Sequence, residues 1–449
     1  MRLIYSLISI CLFFPASILF ASDDVVSFDH IATINHLMER AIAGNLIAGG
    51  VVVVGDHTGI LASTARGRLT AAPDAPPLDE RTIFDLASLT KVIATTPAVM
   101  KLVDEGKISL TDPLSLWFPE FKGSPSENTT ILNLLTHTSG LADFGMSTDQ
   151  AMENAVLKAA GETGRPRPGS SFKYADINFI LLGELVHRVS GKTLDVFCHD
   201  ELYAPLDVPE TMFLPAPDLA GRIAPTVGST CGIVQDRNAR RLGCVAGHAG
   251  LFSSARDLAR FSRLMLDGGA IDGKRILSEQ AVKQMTSPLL CGNGTVVRGL
   301  GWDMHSPFSS PRGRLFSDTS FGHTGYSGSS IWIDPKQDLF VILLTTRLNY
   351  QDIRAFNQLR SDISTIAVAE FRQPGDLQQV TALLTAPPKV ARVSPRLHRP
   401  AHRSIRTASH RRIRMVAALS ETHAKGHHQH GKKSGKHHRR KSRGPSSRA

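Results

Sequence analysis

Beyond residue 22 the 449-residue chain has no apolar run long enough to cross a membrane as a helix. It has no G-x-S-x-G, which argues against the nucleophile elbow of an α/β-hydrolase esterase. It has neither H-E-x-x-H nor C-x-x-C, so no protein zinc site of familiar spacing is written in it, and no metal or cofactor is expected. Cysteine is sparse, at five residues. Cys11 lies in the leader, and Cys198, Cys231, Cys244 and Cys291 are too scattered to form a disulfide framework. Cys231 and Cys244 flank the polar loop "GIVQDRNARRLG". A bridge closing that loop and a pair of isolated thiols are both open readings. No internal repeat is present. Acid is nearly missing from the end of the chain, where residues 389–449 hold 18 Lys and Arg and the single acid Glu421.

That last deficit explains the overall charge. The formal net charge is +11, yet residues 1–388 carry 33 basic and 39 acidic side chains, a net of −6. All the excess basicity sits in the tail. "HHQHGKKSGKHHRRKSR" cannot bury enough apolar surface to offset its ordering entropy, so 389–449 is read as disordered. A charge of +17 there is expected to draw the tail to anionic surfaces, although no dedicated nucleic-acid module is present. At the other end, "MRLIYSLISICLFFPASILFAS" has one arginine, an apolar run and then small residues. It reads as a signal peptide over 1–22, which places the mature protein in the periplasm or outside the cell; an uncleaved membrane anchor is the alternative.

Between them lies a body over 23–375 of ordinary composition for the chain, which is 42% hydrophobic and 20% charged. "HIATINHLMERAIAGN" reads as a helix, and "AGGVVVVGDHTGILASTARG" as a β-hairpin around Asp56-His57-Thr58-Gly59. From Pro113 to about Gly273 the pattern is mostly helical, as in "INFILLGELVHRVSG" and "SARDLARFSRLMLDGG", each closed by glycine. Strands return in "GLGWDMH", "SGSSIWIDP" and "DLFVILLTTR", and "DIRAFNQLRSDISTIAVAEF" closes the body as a helix. This order implies an α/β fold: one antiparallel sheet assembled from both ends of the body, flanked by helices, with a helical domain inserted.

Three short stretches carry chemistry. "FDLASLTKVIATTPAVMKLVDEG" sets Ser88 where a helix begins and Lys91 one turn inside it. The serine hydroxyl then meets the positive end of the helix dipole, and the lysine returns to the same side. A lysine desolvated there is expected to lose basicity and accept the serine proton. An N-cap serine beside a snorkelling lysine is the structural alternative. A second S-x-x-K, Ser170 to Lys173 in "RPRPGSSFKY", follows Pro-Gly turn residues and precedes no amphipathic run, so Ser170 reads as a loop serine. The second stretch, "KYADINFILLG", offers Tyr174 and Asp176 just before a helix. The third, "SFGHTGYSGSSIWID", offers His323, Thr324 and Gly325 at a strand entry, where glycine lets another backbone approach.

The order and spacing of these three resemble the serine β-lactamases and penicillin-binding proteins, in the class C-type branch that also holds D,D-carboxypeptidases, D-amino-acid peptidases and esterases. The family motifs S-x-x-K, Y-x-N and K-T-G (often H-T-G) correspond to Ser88-Leu-Thr-Lys91, Tyr174-Ala-Asp176 and His323-Thr-Gly325. "LLTHTSGL" and "GHAGLFSSARDLARF" are further phrases typical of the branch. The resemblance implies Ser88 as nucleophile, Lys91 as its base and Tyr174 as proton relay. It implies an oxyanion hole from the backbone N–H groups of Ser88 and Tyr326. His323 and Thr324 would line the subsite for the substrate's polar end, beside Gly325, and Asp176 would face the substrate. The fold it implies is a sheet domain and a helical domain with the site between them.

Two residues depart from the pattern. Asp176 stands where the family has Asn, exchanging an amide donor for an anion, and Asn178 is near enough in sequence to compensate. His323 replaces a fixed positive charge with a titrating or neutral one. Both weaken the case for an efficient β-lactamase and leave the acyl-transfer machinery complete. His248 in "CVAGHAG" reads as a hydrogen-bonded loop histidine. The expected function is an exported acyl-serine hydrolase acting on a small molecule or short peptide, D,D-carboxypeptidase-like or β-lactamase-related. An esterase is the alternative within enzymes. From other classes, the alternatives are a non-turnover β-lactam or muropeptide binder and a polyanion-binding arm with the body as passenger.

Overall fold

The computed structural model describes residues 31–226, 231–292, 294 and 296–373. The expected signal peptide over 1–22 and the basic tail over 389–449 lie outside these residues. No helix among the described residues is long and apolar enough to cross a membrane.

The body opens with α1 (Ala32–Ala43), then the hairpin β1 (Ile47–Asp56) and β2 (Gly59–Gly67), and a short β3 (Ile83–Asp85). A tight turn over Ala87–Leu89 and a wide one over Lys91–Thr95 lead into α2 (Thr96–Asp104). The helical region contains α3 (Asp176–Ser190). After the short strands β4 (Met212–Phe213), β5 (Ile223–Ala224) and β6 (Leu251–Ser254) comes α4 (Ala255–Leu266). Then follow β7 (Leu289–Cys291), β8 (Val296–Arg298), β9 (Asp303–His305), β10 (Phe321–Thr324), β11 (Ser330–Asp334), β12 (Leu339–Arg347) and α5 (Ile353–Arg372).

The main sheet has eight strands in the order β2-β1-β12-β11-β10-β9-β8-β7, all antiparallel. The N-terminal hairpin joins the C-terminal strands through the pair Val52 to Leu343 and its neighbours. The sheet is therefore built from both ends of the body, as the sequence order implied. The three strands toward one edge, β7, β8 and β9, are only three residues long, too short to print a clear alternation. A second, four-stranded sheet, β4-β6-β3-β5, joins strands of the helical region to β3; the sequence did not announce it, because two of its strands are two residues long.

The continuous apolar runs of β1 and β12 follow from burial on both faces. Val51, Val53, Ile342 and Leu344 point into a core shared with α2 and α3, whereas Val52, Val54, Val341 and Leu343 point into a second core under α1 and α5. Alternate residues thus serve two cores, and the two end helices shield the sheet from water on one side. All four cysteines of the body are free thiols, which decides against the bridge across the Cys231 to Cys244 loop.

Ile363 on α5 is fully buried in the second core. Ile363→Ala is expected to lower stability by about 2–5 kcal/mol through lost burial and the cavity left behind. The midpoint of chemical denaturation, at unchanged slope, is the measurement.

Candidate active site

Ser88 is fixed by the backbone before it. Ala87 has a φ of 47°, an unusual conformation for a residue with a Cβ. It is held there because its N–H donates to Asp85 Oδ1 at 2.8 Å, and Leu86 N–H donates to the Leu251 carbonyl at 2.9 Å. From the other side, the hydroxyls of Ser327 and Ser329 donate to the carbonyls of Asp85 and Leu86 at 2.6 and 2.9 Å. The loop after β10 therefore clasps the loop before Ser88. Gly325 is required for this approach, since a Cβ there would sit 2.3 Å from the Leu86 carbonyl oxygen. The Asp85 carboxyl is fully buried; burial raises its pKa to about 6, against the pull of the Gln235 and Ala87 amides.

Lys91 has no exposed surface. Its Nζ lies 3.2 Å from Ser88 Oγ, donates to the His248 carbonyl at 2.9 Å and lies 2.8 Å from Asp176 Oδ1. Tyr174, at the loop leading to α3, stands beside them, with Lys91 Nζ 5.2 Å from its ring centroid. The structure thus brings together Ser88, Lys91, Tyr174 and Asp176. The second S-x-x-K is kept out: Ser170 is exposed, and its hydroxyl donates to the Arg167 carbonyl at 2.6 Å in a turn.

The sequence expectation of a weakly basic Lys91 is corrected by its partner. Burial alone pushes the amine down, but the Asp176 carboxylate, with Tyr174 beside it, outweighs burial and holds the pKa above the ordinary lysine range. Asp176 is likewise pulled below the usual carboxylate range: burial works the other way, and the charges of Lys91 and His248 prevail. The Tyr174 phenol is raised, chiefly by burial, although Lys91 draws it down. In the resting site Lys91 is an ammonium and Tyr174 a phenol.

Behind this pair, His248 Nε2 is 2.9 Å from Asp236 Oδ1. Burial raises the Asp236 carboxyl, but the bond and charge of His248 win, and it lies at about 2. One ligating atom each from Asp176, Asp236 and His248 lies within 4.8 Å of the others, the single such grouping among the described residues. Lys91 already occupies the Asp176 oxygen and His248 is bonded to Asp236, so the cluster is an internally paired ion network. Gly247 makes it possible: a Cβ there would lie 2.0 Å from the Phe179 carbonyl oxygen of α3. The Gly247 carbonyl accepts from Thr95 Oγ1 at 2.7 Å, which ties this loop to the turn carrying Lys91.

Two residues were missed as positioning groups. His137, in the phrase "LLTHTSGL", stacks on Tyr174 with ring centroids 4.4 Å apart. Its Nδ1 accepts from Ala175 N–H at 3.2 Å, and burial, with Arg298 and Lys91 nearby, keeps it neutral. Asn178, read as near enough to replace the missing amide at 176, instead turns inward. It accepts from Ser139 at 2.5 Å and donates to the Ala175 carbonyl at 3.0 Å. Phrases that seemed only typical of the branch are therefore what hold Tyr174 and Lys91 in place.

A cavity of about 250 Å³ opens beside Ser88, with Tyr174, His323, Thr324, Gly325 and Tyr326 in its wall. His323 is neutral: burial, then the charges of Arg298 and Lys91, hold it well below the ordinary histidine value, and its Nδ1 is 2.9 Å from the Thr324 carbonyl. Positive charge comes instead from Arg298, Arg347 and Arg360, which no spacing along the chain groups together. Each of the three has one buried guanidinium nitrogen without a hydrogen-bond partner: Nε of Arg298, Nη2 of Arg347 and Nε of Arg360. Asp176 is not in the cavity wall, because Lys91 holds its carboxylate on the far side of the serine.

Comparison with known proteins gives a consistent result. Residues 33–361 match the family model described as Beta-lactamase. A protein of Escherichia coli (strain K12), provisionally named D-alanyl-D-alanine carboxypeptidase, is 30% identical over 307 residues, covering 59% of this chain and 69% of that protein. The solved structure of a penicillin-binding protein homolog from Caulobacter crescentus superposes with a TM-score of 0.63 at 21% identity, covering 76% of this chain and 98% of that one. EstCE1, described as a hydrolase with promiscuous acyltransferase activity, superposes with a TM-score of 0.62 at 19% identity, covering 75% and 98%.

Gly247→Ala is expected to force the Gly247–His248 loop off α3 and draw the His248 carbonyl from Lys91. The expected cost is about 1–3 kcal/mol of stability, read as a lowered melting temperature.

Proposed function

The chain belongs to the Beta-lactamase family and is a serine hydrolase, and from that premise we propose that it is an exported D,D-carboxypeptidase-like peptidase. Ser88 is its nucleophile, working with Lys91 and Tyr174. Residues 1–22 direct its export, and the basic tail holds it to anionic surfaces outside the cytoplasm.

The observation that supports this reading is the set of three buried arginines around the nucleophile's cavity, each with an unpaired nitrogen. Buried polar groups are nearly always paired, and an orphaned guanidinium N–H is costly unless a ligand completes it. The Asp303 carboxylate, 3.1 Å from Arg298, answers only one of the three charges. A substrate whose terminal carboxylate lies on the residue just after the scissile bond has the charge to pair with this arginine group. In the proposed reaction Ser88 Oγ attacks the carbonyl of the penultimate residue and the N–H groups of Ser88 and Tyr326 stabilise the oxyanion. Tyr174 then protonates the departing amine, and water hydrolyses the acyl-enzyme.

A second reading, an esterase, is favoured by the rim. Phe308, Tyr326 and Ile353 border the cavity and are 46%, 58% and 57% exposed, a surface suited to an apolar acyl or alcohol group.

The two are separated by a panel of a D-Ala-D-Ala peptide, its C-terminal amide and a nitrophenyl ester. The peptidase reading expects the free carboxylate to be preferred. Arg347→Met should lower kcat/KM for that peptide by about 10–100-fold, the value of a charged hydrogen bond, and spare the ester. Equal turnover of acid and amide peptides, or ester turnover alone, would reject it. Ser88→Ala should abolish covalent labelling by a fluorophosphonate, whereas Ser170→Ala should leave it intact; intact mass is the readout.

A further inference from the structure

Asp176 is the one motif residue whose chemistry changes sign relative to the family pattern, and the structure aims it at the lysine rather than at the substrate cavity. We propose that Asp176 sets the charge of Lys91, with Asp236 and His248 tuning it from behind, so that acylation of Ser88 is gated by loss of one proton from the Lys91–Asp176 pair. The proposal rests on the reading of Ser88 as nucleophile and goes beyond it by giving Asp176 a positioning role in the reaction.

The geometry carries the argument. Lys91 Nζ lies 2.8 Å from Asp176 Oδ1, in a site where the lysine has no exposed surface. Attraction between charges at that distance is several times stronger away from water than in it. The remaining groups around the amine reinforce it. Asp143 couples to both Asp176 and Lys91, and its carboxyl takes the Ile177 N–H at 3.0 Å at the start of α3. Asp236 couples to Lys91 from the His248 side. Three carboxylates thus act on the Lys91 ammonium, Asp236 among them already bonded to His248. On the remaining sides are Tyr174, a phenol, and His137 and His323, both held neutral by burial and by nearby positive charge. An asparagine at 176 would remove the nearest of the three anions and keep the shape.

The consequence is chemical. When Ser88 Oγ bonds to the substrate carbonyl carbon, its O–H bond breaks and the proton needs a lone pair. The Lys91 ammonium has none, and Tyr174 carries its own proton. One proton must first leave the Lys91–Tyr174–Asp176 network for solvent water. The neutral amine then takes the Ser88 proton, and Tyr174 gives its proton to the leaving group and is refilled from Lys91. Asp176 holds the resting site one proton above the reactive form. Deprotonation of a lysine whose pKa is raised is favoured only as pH rises, so the rate should climb with pH rather than level near neutrality.

The test is the second-order rate of Ser88 phosphonylation by a fluorophosphonate, in which Oγ loses its proton, bonds to phosphorus and expels fluoride, followed by intact mass across pH on the full chain. Wild type is expected to gain about tenfold per pH unit without levelling through about pH 9. Asp176→Asn should level at least about one unit lower and exceed wild type about tenfold or more near pH 7. Asp236→Asn should move the limb the same way by less, and it carries the test if Asp176→Asn does not fold. A limb that stays in place, or moves to higher pH, in either folded variant overturns the proposal while leaving Ser88 as nucleophile. No labelling of wild type at any pH would instead overturn the nucleophile assignment and the proposal with it.

Discussion

A lysine without exposed surface is the constraint on which this site depends. Burying an ammonium is costly unless it is paired and hydrogen-bonded. Lys91 meets both conditions at once, with Asp176 at 2.8 Å, the His248 carbonyl at 2.9 Å and Ser88 Oγ at 3.2 Å. Each partner comes from a different segment: the start of α3, the Gly247–His248 loop and the turn before α2. Removing any one partner leaves a charge partly unsatisfied, so the three segments are held in mutual register by the same group.

The backbone ahead of Ser88 is fastened to the sheet by comparable contacts. Arg360 on α5 donates to the carbonyls of Gly325 and Ser329 in the loop between β10 and β11, and Ser329 in turn donates to Leu86 just ahead of Ser88. The nucleophile's backbone is therefore set by a chain that begins in the C-terminal helix and runs through the sheet. Preorganisation of this kind is what a reacting serine requires, because the N–H groups that stabilise an oxyanion act only when they are fixed before the charge appears. The strained φ at Ala87 fits the same picture: a conformation with a cost persists because Asp85, Leu251, Ser327 and Ser329 all determine it.

Much of this was legible in order along the chain. The Val51–Val54 and Leu339–Leu344 runs announced strands buried on both faces, and the amphipathic period of Ile353–Arg372 announced the closing helix. The pairing of Ser88 with Lys91 followed from a single helical turn, and the rejection of Ser170 followed from the turn residues before it. Short strands such as Met212–Phe213 and Ile223–Ala224 were not legible, since two residues show no period and exist only by pairing with β6 and β3. Nor were the cavity arginines, which lie far apart in sequence and share no spacing.

The sequence by itself determined which residues could do chemistry and that the sheet would draw on both ends of the body, because local period and motif spacing are properties of neighbours along the chain. The charge state of that chemistry was decided only by the tertiary structure. An aspartate at 176 reads in sequence as a lost amide facing a substrate, and Asn178 as its substitute. In space the carboxylate closes on Lys91, His137 and Ser139 claim the asparagine, and Asp236 and His248 arrive from another loop. The pKa of a buried group is set by whatever charges lie within a few ångströms of it, and those distances exist only once the chain has folded.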